Sequence, residues 1–155
     1  MPSLETCQYY INNPQTITSD ILNTPDECGH TLLFEIAKDH AYLLKPKTSL
    51  DYVWTMLGNG NGILEQATSL GLNSVITRGE LKGTSALYFM LLHLDSNVFF
   101  HNCVIGLINA QGLNSVIASN GNHENISVLH LILCMYGIST LTKHSHLIPL
   151  INHLQ

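Results

Sequence analysis

The hexapeptide Gly71-Leu72-Asn73-Ser74-Val75-Ile76 returns unchanged as Gly112-Leu113-Asn114-Ser115-Val116-Ile117, forty-one positions further on. The likeness extends upstream, where residues 61–76 (NGILEQATSLGLNSVI) lie over residues 102–117 (NCVIGLINAQGLNSVI) and apolar positions stay apolar even where the residue changes. A fixed period marks one supersecondary unit that cannot bury its own apolar face and must stack on copies of itself. The expected architecture is an all-α helical repeat solenoid, and such stacks ordinarily bind other macromolecules rather than catalyse.

Working outward, residues 21–37 (ILNTPDECGHTLLFEIA) lie over residues 75–91 (VITRGELKGTSALYFML) without a gap, and residues 117–133 follow once one extra residue is allowed. Leu147-Ile148-Pro149-Leu150-Ile151-Asn152 resembles Val104-Ile105-Gly106-Leu107-Ile108-Asn109, which places the last residues in the second helix of a third unit. Thr31 and Ser85 lie twelve residues further apart than Ser85 and Ser127, so the first unit carries an insertion. It falls between Lys45 and Gly62, where Pro46 and the Gly58-Asn59-Gly60-Asn61-Gly62 run break regular structure. The chain thus reads as a single domain, residues 1–155, with a partial N-terminal cap (1–20) and units at about 21–74, 75–115 and 116–155.

Each unit opens with a polar turn, at residues 23–30, 77–84 and 118–125. Each turn ends in a hydroxyl residue, Thr31, Ser85 or Ser127, placed to accept a hydrogen bond from a free amide of the helix that follows. The helices run through Leu33, Ile36 and Ala37, then Leu87, Met90, Leu91 and Leu94, then Leu129, Ile132, Leu133 and Tyr136. The second and third are apolar on nearly every face and are expected to be enclosed, whereas Glu35, Lys38 and Asp39 make the first amphipathic and terminal. Phe34, Tyr88 and His130 share one position after the core leucine and predict aromatic packing between units.

Composition narrows the function. Of 155 residues, 45% are apolar and 11% charged, against roughly 25% charged in ordinary soluble domains. A net charge of −5 with six Lys and Arg argues against nucleic acid, because phosphate binding needs clustered cations. The longest apolar run, residues 86–92, is too short to span a bilayer. The N-terminus lacks a basic region followed by an apolar one, so no conventional secretory signal is expected and the protein is assigned to a cytoplasm. Cys7, Cys28, Cys103 and Cys134 are widely spaced and read as reduced, mostly packed thiols.

Residues 26–37, from Asp26-Glu27-Cys28-Gly29-His30-Thr31 through Leu33 to Ala37, resemble the ankyrin-repeat signature. Glu80, Gly83, Ser85 and Leu87 keep it in the second unit, and Ser127, Leu129 and His130 in the third. The family's proline after the threonine is replaced by Leu32, Ala86 and Val128, and the period is longer than the family's usual one, so the units are similar to divergent, lengthened ankyrin repeats. The resemblance implies recognition of a protein partner through turn tips and the concave face of the first helices. It also implies that His130 ties turn backbone across neighbouring units. Short Asn- and His-rich arrays of this type are similar to effectors that intracellular bacteria deliver into host cells, which implies a host protein as partner.

The partner-contacting positions expected on this basis are Thr24, Pro25, Asp26, Arg78, Glu80, Asn120 and Asn122, where the units differ while Leu33, Leu87 and Leu129 hold the scaffold. No catalytic, cofactor or metal residues are assigned. His130 and Cys134 share a helix face but lack further ligands at metal-binding spacing, and the glycine run follows a predicted helix rather than the strand a phosphate loop needs. Two alternatives remain open: a small enzyme, or enzyme-regulating fragment, using Cys and His, and a homo-oligomerisation module joined through the apolar C-terminal helix with Leu147, Ile148, Leu150, Ile151 and Leu154.

Overall fold

The computed structural model describes residues 4–44, 63–93, 104–116 and 126–151. The fold is all-α: among these residues there is no strand, and the bridges Val75 with Ser85 and Val116 with Ser127 are isolated antiparallel pairs. The insertion at 45–62, the third turn at 118–125 and Leu94 lie outside the described residues.

Nine helices are described: α1 (Leu4–Asn12), α2 (Ser19–Asn23), α3 (Leu32–Asp39), α4 (Ser69–Asn73), α5 (Ala86–His93), α6 (Ala110–Leu113), α7 (Val128–Tyr136), α8 (Ser139–Lys143) and α9 (Ile148–Ile151). Short 3-10 turns precede α2, α4, α6 and α9. The helices form two layers. The short helices pack in the order α2, α4, α6, the longer ones in the order α3, α5, α7, and each short helix packs on the longer one that follows it. Leu22, Leu72 and Leu113 from the first layer meet Leu33, Ile36, Leu87, Met90 and Ile132 from the second, all fully buried.

Local chemistry explains where helices start. Thr31 and Ser127 cap α3 and α7, accepting from the amides of Phe34 (3.0 Å) and His130 (3.4 Å). Thr18, Thr68 and Asn109 do the same for α2, α4 and α6. The buried Ser85 hydroxyl meets the Ser115 hydroxyl at 2.9 Å, and Ser115 donates onward to the Gly112 carbonyl at 2.6 Å. Ser85 therefore joins α5 to the segment that follows α6.

The first two turns are joined through backbone to the chain of the unit that follows. The Thr77 amide donates to the Cys28 carbonyl and the Val116 amide to the Gly83 carbonyl, both at 2.9 Å. Gly29 and Gly83 hold corresponding turn positions at φ +79° and +89°, a conformation costly for any residue with a Cβ. A Cβ on Gly29 would also run into the Val75 carbonyl of the next turn.

A second joint links the short helices. Asn73, 1% exposed, donates to the Ser69 carbonyl (2.7 Å) and the Leu107 carbonyl (2.9 Å) and accepts from the Asn109 amide (3.1 Å). Asn23 makes the same set one layer earlier, with Ser19, the Gln66 carbonyl (2.8 Å) and the Thr68 amide (2.9 Å). A Cβ on Gly71 would meet the Asn23 amide group, and one on Gly112 that of Asn73. The glycine and asparagine of the duplicated hexapeptide are thus the two halves of one joint.

Three expectations need correction. The third long helix is not enclosed: α7 buries Val128 and Ile132, but Cys134 and Met135 are exposed, because no described helix covers its outer side. Cys134 is accordingly not one of the packed thiols. Leu147, expected at an uncovered end, is fully buried, whereas Ile148 is 46% exposed.

Candidate functional site

The stacked turns leave an open cleft of about 480 Å³ beside α3. Asp26, Cys28 and His30 form one wall, Ile76, Arg78, Glu80 and Leu81 at the second turn the other, and Phe34, Glu35 and Lys38 of α3 the base. Three of the positions expected to meet a partner, Asp26, Arg78 and Glu80, come together here although about fifty residues separate the first from the others.

Asp26 shapes the first wall. Its carboxylate accepts from the amides of Cys28 (2.8 Å) and His30 (3.0 Å), and its own amide donates to the His30 carbonyl (2.9 Å). Burial raises the Asp26 carboxyl, but the His30 and Cys28 amides more than offset this, so the group lies below its ordinary value and stays ionised.

At the base, the His30 Nε2–H donates to Glu35 Oε2 at 3.0 Å, and Lys38 Nζ lies 3.9 Å from Glu35 Oε1 and 3.0 Å from Asp39 Oδ2. The hydrogen bond from His30 holds the Glu35 carboxyl below its usual range against the opposing effect of burial. The His30 ring packs edge-on against Phe34 (5.2 Å, 82°), and Phe34 against Phe89 of α5 (5.3 Å, 87°). The expected aromatic contact between units therefore runs through Phe89, the neighbour of Tyr88.

Across the cleft, Arg78 reaches back to the first turn, donating from Nε to the Cys28 sulfur (2.9 Å) and pairing with Glu27 Oε1 (3.3 Å). Both charged side chains are mostly solvated, so the pair contributes at most about 1 kcal/mol.

The other expected positions separate from this group. Thr24 follows α2 and donates its hydroxyl to the Asp20 carbonyl (2.7 Å), and neither it nor Pro25 lines the cleft. Asn120 and Asn122 lie outside the described residues. Among the described residues, His130 bonds within its own unit. Its Nδ1 accepts from the Ser127 amide (3.3 Å), closing a capping box on its own helix.

Sequence reading missed Cys28, His30, Phe34, Glu35, Lys38, Ile76 and Leu81 as cleft residues. Glu35 and Lys38 read as a solvated end face, and only the pairing of α3 with the next turn makes that face the base of a cleft. The asparagine joint was also missed, although Thr18-Ser19 with Asn23 and Thr68-Ser69 with Asn73 carry the same spacing.

Among the described residues, no group of three or more His, Cys, Asp or Glu side chains is placed to hold a metal ion, and no helix is long and apolar enough to cross a membrane. Compared with known proteins, the chain matches no family model, no curated protein and no solved structure.

Proposed function

We propose that this chain is a protein-recognition module, an ankyrin-type repeat solenoid that takes its partner in the cleft between the first two turns. In the setting that the sequence resemblance implies, a bacterial effector at work in host cytoplasm, the partner is a host protein. One observation carries the reading: the turn positions that vary between units, Asp26, Arg78 and Glu80, converge on one concave surface that the invariant scaffold residues do not line. The packing of like helix on like helix and the backbone bonds between successive turns support the solenoid part.

The test replaces the exposed pair together, Arg78→Glu with Glu80→Arg. The double variant is expected to keep its melting curve within about 0.5 kcal/mol, as surface changes do, and to lose the proteins that the unaltered chain retains from cytosolic extract. Unchanged retention would move the recognition face elsewhere.

A specific observation favours a second reading, self-association. Met135 and Ile138, at the end of α7 and just after it, are exposed, Ile138 to 77%, and among the described residues no helix covers the outer side of α7. Apolar exposure of that kind marks an interaction surface when it is contiguous.

A further inference from the structure

The charges that line the cleft are not equally available. Asp26 is occupied by two turn amides, Glu35 by His30 and Lys38, Lys38 also by Asp39, and Arg78 by Glu27 and the Cys28 sulfur. Glu80 is exposed and makes no hydrogen bond or ion pair among the described residues. It stands next to Leu81, which with Ile76 and Phe34 supplies the apolar part of the lining.

We infer that the cleft takes a basic peptide segment of the partner, with a Lys or Arg paired to Glu80 and a neighbouring aliphatic or aromatic side chain set against Leu81, Ile76 and Phe34. The inference rests on the reading of the cleft as the recognition face and adds the chemistry of what enters it. Charge complementarity supports it twice. The lining acids Asp26, Glu35 and Glu80 outnumber Lys38 and Arg78, and the whole chain carries −5. An acidic segment would meet Glu80 uncompensated and a field of its own sign, which slows encounter and costs affinity. Arg78 does not reverse this, because its guanidinium is already engaged on the first turn.

The test pans a random twelve-residue peptide display library on the immobilised 155-residue chain, and then titrates a labelled synthetic copy of the most enriched peptide. The expected binders combine Lys or Arg with Leu, Ile, Val or Phe, and they weaken as salt rises toward about 0.5 M. Glu80→Arg is expected to weaken the synthetic peptide at least about tenfold, and Glu80→Gln by less, because removing a charge is milder than opposing it. Binders without a cation preference, or a basic peptide that Glu80→Arg leaves unaffected, would overturn the inference. If those same binders were lost in Leu81→Asp, peptide recognition by the cleft would survive and only its charge preference would fall. No enrichment over the bare support would overturn both.

Discussion

The residues that decide the stacking are a buried amide and the glycine beside it. Asn73 satisfies both ends of its side chain on neighbouring backbone, and removing it takes away the partner of the Asn109 amide, while the Leu107 carbonyl keeps the Ser69 hydroxyl at 2.8 Å. An unsatisfied buried amide costs about 1–3 kcal/mol, so Asn73→Ala is expected to destabilise the fold by about 1–3 kcal/mol in urea titration. Asn114 holds the same place in the second copy of the hexapeptide, yet it is exposed. Asn114→Ala should therefore stay within about 0.5 kcal/mol. Equal losses for the two would contradict the joint. Reading the hexapeptide alone treats the two asparagines as equivalent. The difference lies in what comes next: Ser69 and Asn109 complete the joint of Asn73, while the corresponding serine position before Asn114 is Ala110.

At the scale of helices, much was legible because capping chemistry is local. Thr31 and Ser127 stand directly before α3 and α7, and a hydroxyl can declare itself as a cap from its neighbours alone. Burial was less legible, because it depends on what lies on the far side. The α5 segment and the α7 segment are similarly apolar, yet α5 is enclosed between α3 and α7 and buries Ala86, Leu87, Phe89, Met90 and Leu91, while α7 buries Val128 and Ile132. Leu87→Ala is expected to cost about 2–5 kcal/mol as a core cavity. Leu129→Ala, at the corresponding but half-buried position, should cost distinctly less. Thermal unfolding of the two variants side by side checks this, and a larger loss at Leu129 would mean that α7 is covered in solution. The cleft itself was half legible. Asp26, Arg78 and Glu80 follow from variation between units, but Cys28, His30 and Leu81 do not, and its base on α3 depends on which turn folds over Glu35 and Lys38.

For the molecule as a whole, the two ends differ in character. Among the described residues, α3 carries the charged Glu35, Lys38 and Asp39, and α7 with the turn after it exposes the apolar Met135 and Ile138. Unlike faces of this kind do not attract each other, so any self-association should be closed and two-fold, joining like face to like. Light scattering over rising concentration is expected to show a dimer that Ile138→Asp returns to monomer. Growth beyond a dimer would instead indicate open head-to-tail contact. Binding at the cleft should be unaffected by that change, since the cleft lies between the first two turns on the opposite side of α5.

The side chain of Asn73 grips its neighbour by main-chain atoms, and so does that of Asn23. Such a grip is indifferent to identity. The gripped carbonyl belongs to a glutamine in one case and a leucine in the other, and the gripped amide to a threonine and then an asparagine. Mutational drift can therefore rewrite the seams almost freely while the spacing of the layers persists, which leaves kinship between chains of this design easier to see in coordinates than in letters.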